Sequence, residues 1–232
     1  MKVAIMQPYF LPYIGYFQLL AAVDLFIVYD NIKFTKKGWL NRNRMLRQGK
    51  DEMFTLPLMK GSDFLDVRER ELAVDFDRAK LLNQFKEAYR RAPHFGQTFP
   101  LMERIFGCEE VNLFRFLYRS ILEVGAHLNV GTEIRISSDM DVDHHLKGQD
   151  KVLALCEAAG AQTYVNAVGG VALYSKDVFY ERGVELQFIK SRPFDYEQFG
   201  DPFVPWLSIV DVLMFNSLQS VKTCIASNYE LI

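Results

Sequence analysis

Cysteine is scarce in this 232-residue chain: Cys108, Cys156 and Cys224 are odd in number and far apart, with no CxxC pair. Such a set makes neither a disulfide framework nor a four-thiolate zinc site. The three read as small buried hydrophobes in a reducing compartment. No apolar run reaches the roughly 20 residues that cross a bilayer. The run after Met1-Lys2 is too short for a signal peptide and is broken by Pro8 and Pro12. A soluble, cytoplasmic protein without membrane insertion is therefore expected. Neither charge is in large excess: a net charge of -2 creates no global field towards DNA or a membrane, so any anion site must come from a local patch. Repeats and low-complexity segments are absent. With 50% hydrophobic and 24% charged residues, the composition is that of a chain that buries a large core.

What is present is a β/α rhythm. Residues 3–6 (VAIM) and 25–29 (LFIVY) are continuous apolar runs, as in strands buried on both faces of a parallel sheet. Residues 14–22 between them have helical length, which makes a βαβ unit with the two strands adjacent. MFTLPL (53–58) reads as a strand, at a sheet edge or strand end because of Pro57. Helices follow at about 77–91, 99–105 and 111–122, with Ala92-Pro93-His94 ending the first. The rhythm then returns, with strands at 133–136, 163–165 and 184–189. Helices fall at 149–159, stopped by Gly160, at 176–182, and from 209 to 215 or beyond with Ser208 as a possible N-cap. The expectation is an α/β fold: a single domain over 1–232 with a Rossmann-like, mostly parallel sheet flanked by helices, and a helical insertion at about 66–128.

Chemistry is carried first by QPYFLPYIGY, residues 7–16. In open α/β sheets ligands bind beyond the carboxyl ends of the strands, where this loop follows strand 1 and the next helix offers free N–H groups. The competing reading is a turn shaped by Pro8, Pro12 and Gly15, with the tyrosines merely packed. The layout resembles nucleotidylyltransferases of the HxGH type, with Tyr13-Ile14-Gly15-Tyr16 in place of that motif. A phenol of pKa about 10 donates a hydrogen bond but brings no positive charge to a transferring phosphate, so a shared fold does not carry over the chemistry.

The second feature is KFTKKGWLNRNRMLRQGK. It holds Lys33, Lys36, Lys37, Arg42, Arg44, Arg47 and Lys50, and no acid. If extended, it puts Asn41 and Asn43 on one face and Arg42 and Arg44 on the other. Arginine forks grip phosphates, and Trp39 offers a plane for a base or sugar. Against a merely solvated basic face stand the tryptophan, the asparagines and the absence of acids, which favour an anion: a nucleotide diphosphate, a nucleotide-sugar or an RNA backbone.

Other features are less decisive. His94, after the helix-ending proline, is a general base or a cap on carbonyls. Asp141-Val142-Asp143-His144-His145 has the composition of a metal site, but adjacent histidines point apart and no HxH or HxxxH spacing occurs, so a solvated loop is expected. Asn166 leads to Gly169-Gly170 at a strand's carboxyl end, either as close backbone approach to a ligand or as a turn. Ser208 has no GxSxG setting, and Asp211 is a polar position on a buried helix.

Taken together, QPYFLPYIGY, Asp30 with Lys36, WLNRNR (39–44), Ala92-Pro93-His94-Phe95, Tyr164-Val165-Asn166 with Gly169-Gly170 and Leu173-Tyr174, and Leu207-Ser208-Ile209-Val210-Asp211 resemble the WbqC-like proteins along nearly the whole chain. The resemblance implies a role in assembling O-antigen or other surface polysaccharides, as a glycyl, aminoacyl or acyl transferase acting on an amino group of a nucleotide-activated sugar. The matching positions Gln7, Pro8, Tyr9, Tyr13, Gly15, Tyr16, Lys36, Trp39, Asn41, Arg42, Asn43, Arg44, Asn166, Gly169 and Gly170 are then expected at the substrate. Asp30 or His94 is expected as the base. No metal site or cofactor is implied, with Mg2+ entering only if a nucleoside triphosphate is used. An aminoacyl-tRNA donor would bring RNA to the basic stretch. The alternatives are a nucleotidylyltransferase-like enzyme of altered mechanism and a non-catalytic binding subunit of a glycan assembly complex.

Overall fold

The computed structural model describes residues 1–200 and 202–232. Its elements run β1 (Lys2–Met6), α1 (Ile14–Ala21), β2 (Leu25–Val28), β3 (Arg42–Arg47), β4 (Lys50–Thr55), α2 (Arg78–Tyr89), α3 (Phe95–Phe106), α4 (Leu113–Leu128), β5 (Glu133–Ile136), α5 (Gly148–Ala159), β6 (Thr163–Ala167), α6 (Lys176–Glu181), β7 (Glu185–Ser191), α7 (Ile209–Phe215), α8 (Leu218–Ser227) and β8 (Tyr229–Leu231). The main sheet has the order β5-β2-β1-β6-β7-β8. It is parallel except for β8, which pairs antiparallel with β7.

The apolar runs sit where their composition requires. Val3 and Ile5 pack with Leu25 and Ile27 on the face covered by α5 and α6. Ala4, Phe26 and Val28 pack on the other face with α1, α3, α4, α7 and α8. Burying one such Val, Leu, Ile or Phe side chain contributes roughly 1.5–3 kcal/mol, and both faces of the central strands gain it. The buried Gln18 of α1 is satisfied within the fold. It donates to the carbonyls of Cys224 (3.2 Å) and Asn228 (3.1 Å) and accepts from Ser191 Oγ (2.6 Å).

Several boundaries differ from expectation. The strand expected at 53–58 lies at Lys50–Thr55, paired with β3 as a separate antiparallel ribbon. Gln48 and Gly49, both at positive φ (51° and 75°), make its tight turn, the geometry that suits a two-residue hairpin. Helix α3 starts at Phe95 rather than 99 and carries Pro100 inside it. Helix α4 continues to Leu128 and stops at Asn129, whose φ of 55° is left-handed. The expected caps are present: Gly160 ends α5 at a φ of 67°, and Ser208 Oγ accepts from Val210 N at the start of α7. All three cysteines are free and buried. Among the described residues, no helix is long and apolar enough to cross a membrane.

Candidate functional site

At the carboxyl end of the sheet, the connection after β1 (α1) leaves to one face and the helix entering β6 (α5) lies on the other. That divergence opens a crevice between β1 and β6, the place where open α/β sheets bind ligands. It holds a cavity of about 940 Å³, within the usual range for small-molecule sites. One wall is Gln7, Tyr9 and Tyr13 with the first turns of α1. A second is Tyr29, Asn31 and Lys33 beyond β2, joined by Phe64 and Asp66. The third is Lys147, Gly148 and Gln149 at the start of α5, beside His144. Asn166, Gly169, Gly170 and Tyr174 close it beyond β6.

The tyrosines are neutral hydrogen-bonding walls. Burial, reinforced by Tyr13, raises the pKa of Tyr9, and burial raises that of Tyr16 well above the usual phenol value. Tyr16 donates to the Gln7 carbonyl (3.1 Å) and packs edge-on against Phe17. Gly15 leaves room for the Tyr13 ring, which folds back over it: a Cβ there would displace the Tyr13 hydroxyl. Burial, reinforced by Glu69, also raises the pKa of Asp66, the acid among the lining residues.

The expected site residues divide into two groups. Gln7, Tyr9, Tyr13, Gly15, Tyr16, Asn166, Gly169 and Gly170 come together at the cavity. The WLNRNR stretch does not line it; its polar side chains grip the protein. Asn43 Nδ2 donates to the carbonyls of Phe10 (3.0 Å) and Leu11 (2.9 Å), while its Oδ1 accepts from Arg44 N (2.8 Å). Asn41 Nδ2 donates to the Leu56 carbonyl (2.8 Å). Arg42 Nε donates to the Gly38 carbonyl (3.1 Å). Arg44 donates to Asp51 and to the Trp206 carbonyl (both 3.2 Å) and stands 5.5 Å from the Trp39 ring. Lys36 pairs with Asp63 at 2.7 Å. Phe10 N donates to the Trp39 carbonyl (3.2 Å), and Ser208 Oγ to the Leu11 carbonyl (2.7 Å). WLNRNR and LSIVD thus clamp the back of the opening loop, where Pro8 is buried. The clamp holds Leu11 at a φ of 43°, a conformation costly for a non-glycine residue.

The two expected bases also lie off the cavity wall. Asp30 is buried and accepts from Ser137 Oγ (2.8 Å), Ser138 N (3.0 Å) and Ser138 Oγ (2.6 Å), which anchors the turn after β5. His94 stands at the N-cap position of α3 without a side-chain capping bond, and its backbone N donates to the Met214 carbonyl (3.0 Å). His144, read as part of a solvated loop, is exposed yet reaches the cavity. Its Nδ1 faces Asn31 Nδ2 (2.9 Å) and the buried Lys151 Nζ (2.7 Å). With two donors on Nδ1, the ring carries its proton on Nε2, directed at the Met140 carbonyl (3.1 Å). Sequence reasoning gave no ligand role to Tyr29, Asn31 or the start of α5, whereas Lys33 belonged to the basic stretch read as an anion site. The strand-end rule that pointed to Gln7 and Asn166 extends to Tyr29 and Asn31, because strand 2 lies beside strand 1. Nothing in the sequence marks Phe64 or Asp66. Among the described residues no group of three or more His, Cys, Asp or Glu is placed to hold a metal.

These motifs fall within a known family pattern: the model of the WbqC-like protein family matches residues 7–223. The chain belongs to the WbqC-like family. It is also similar to Rv1507c of Mycobacterium tuberculosis (strain ATCC 25618 / H37Rv), described as an uncharacterized protein, at 31% identity over 220 residues covering 93% of each chain. In this WbqC-like chain the stretches that carry the resemblance do two jobs. QPYFLPYIGY and the Asn166–Gly170 turn form the cavity, while WLNRNR and LSIVD brace it.

Proposed function

We propose that the chain is a transferase acting on a nucleotide-activated sugar or a similarly phosphorylated small molecule in surface-polysaccharide assembly, moving a glycyl, aminoacyl or acyl group onto its amino group. One observation carries this reading: the cavity at the β1–β6 crevice, with the first turns of α1 and α5, Lys33 and Lys147 in its walls. Helix N-termini and lysines attract phosphate, and the tyrosine walls suit a sugar or base. In the transfer the amine nitrogen bonds to the acyl carbon, the donor's ester or thioester bond breaks, and the nitrogen loses a proton. In this reading Asp66, the acid in the cavity wall, takes that proton, and Asp30 serves as a positioning residue through Ser137, whose hydroxyl lies within hydrogen-bond distance of both Asp30 and Asn31.

The test is incubation of the purified protein with amino-sugar nucleotides and acyl or aminoacyl donors, an aminoacyl-tRNA included, followed by mass spectrometry. A mass gain on the amino-sugar nucleotide is expected. Binding without any product across the panel would leave a non-catalytic binding subunit. The position of the opening loop also favours a nucleotidylyltransferase-like reading, which requires Mg2+-dependent pyrophosphate release from a nucleoside triphosphate. The uncharged tyrosines at that loop weigh against it.

A further inference from the structure

We propose that the cavity reads its ligand in two parts: an uncharged hydrogen-bonding moiety held by the carboxamides of Gln7 and Asn166 in the β1–β6 crevice, and a phosphate held at the first turn of α5 beside Lys147. The class that fits is a nucleoside diphosphate or its sugar conjugate. This rests on the reading of the cavity as a nucleotide-sugar site, and adds the ligand's orientation and the residues that select it.

Asn166 is only 6% exposed and lines the cavity. Its Oδ1 accepts from Ala167 N (2.8 Å), which fixes the orientation of the amide. Its Nδ2 lies beside the Tyr174 hydroxyl, which can accept from it. An amide nitrogen carries two N–H donors, so a ligand in the cavity can accept from the one that Tyr174 does not. Gly170 serves this arrangement: a Cβ there would stand 2.6 Å from Asn166 Nδ2 and 3.3 Å from its Cγ. Gly170 is not among the glycines at positive φ, so close approach, not backbone conformation, accounts for the glycine. One strand away, Gln7 follows β1, and only its backbone carbonyl is engaged, by Tyr16. Two neutral carboxamides match hydroxyls or the edge of a base, each offering a donor and an acceptor.

The other end is electropositive. Helix α5 has 12 residues, and its N-cap, Lys147, makes no side-chain capping bond. Its first amides therefore lack an intrahelical partner and carry the positive end of the helix dipole. Lys147, Gly148 and Gln149 all line the cavity.

The experiment is calorimetric titration of the full chain with the nucleoside diphosphates of the four common bases, at low and high salt. The diphosphate that binds most tightly is then titrated against Asn166→Asp, Gln7→Ala, Gly170→Ala and Lys147→Ala, each checked for folding by circular dichroism. Asn166→Asp keeps the acceptor for Ala167 N while removing the donor and adding a negative charge. The expected result is an affinity loss of about tenfold for Gln7→Ala and Gly170→Ala with the salt dependence unchanged, and a larger, salt-dependent loss for Asn166→Asp, whose added negative charge repels the diphosphate. Lys147→Ala is expected to weaken binding and flatten the salt dependence, because it removes a screened charge. Diphosphate binding that all of these variants leave intact would overturn the two-part site while sparing the cavity reading. If no nucleoside diphosphate binds the parent chain, the nucleotide-sugar reading itself falls.

Discussion

Asn43→Ala separates bracing from ligand contact in the family signature. The side chain is 5% exposed and makes three hydrogen bonds, two to the carbonyls of Phe10 and Leu11 and one from Arg44 N. Each is worth about 1 kcal/mol net. The Leu11 carbonyl keeps Ser208 Oγ, whereas the Phe10 carbonyl loses its side-chain partner. The expected loss is therefore about 3 kcal/mol. In a chain of this size that corresponds to a fall in melting temperature of roughly 6–12 °C. Urea midpoints and thermal scans of parent and variant measure it. A variant that melts within about 2 °C of the parent but no longer binds the cavity's ligand would refute the bracing role and return Asn43 to the ligand.

Tyr89 is fully buried, accepts from Leu46 N (2.8 Å) and donates to Asp211 Oδ1 (2.9 Å). Tyr89→Phe leaves that amide buried without a partner and should cost about 2–4 kcal/mol in urea unfolding; a loss below about 1 kcal/mol would contradict the network. Asp211 accepts from Tyr196 (2.6 Å), Gln198 (2.9 Å) and Tyr89, yet burial raises its pKa above the usual carboxylate value. A raised native pKa means a contribution that is complete below the unfolded value of about 3.9 and is lost as pH rises through the native one. The stability of the parent relative to Asp211→Asn should therefore shrink from acidic to neutral pH, and a difference that grows with pH would reverse the argument. Burial pushes the Cys156 thiol up to about 12, so iodoacetamide at mildly alkaline pH should leave it unmodified in the native state and alkylate it in urea, as peptide mass mapping would show.

The elements that sequence placed well are those whose burial is written in consecutive residues. VAIM and LFIVY are apolar at every position because both faces are covered, and Gly160 and Ser208 mark helix ends by local chemistry. The ribbon of β3 and β4 was read only in part, as a strand at 53–58, because RNRMLR and KDEMFT are mostly polar and form no part of the main sheet. β8 has only three residues and gains its order from pairing with β7. A topological rule led to Gln7 and Asn166, which line the cavity. At Lys36 and WLNRNR the basic stretch was read without its partners, which a charge run does not show. Asp51, Glu52 and Asp63 lie just beyond it, and the carbonyls that Asn43 serves are more than 30 residues away.

The clamp on Leu11 sets a timetable for the nascent chain. Its carbonyl waits for Ser208, 197 residues further along, and β1 lacks its neighbour β6 until residues 163–167 have been made. At about 5–20 residues per second, synthesis takes roughly 10–40 s to cover the distance to Ser208. During that interval β1 is an apolar strand with an open edge, the kind of surface that pairs with the wrong chain. The opening loop is therefore written early in sequence but shaped late in time. A nascent chain stalled before Ser208 would carry QPYFLPYIGY without the hydroxyl that holds the Leu11 carbonyl.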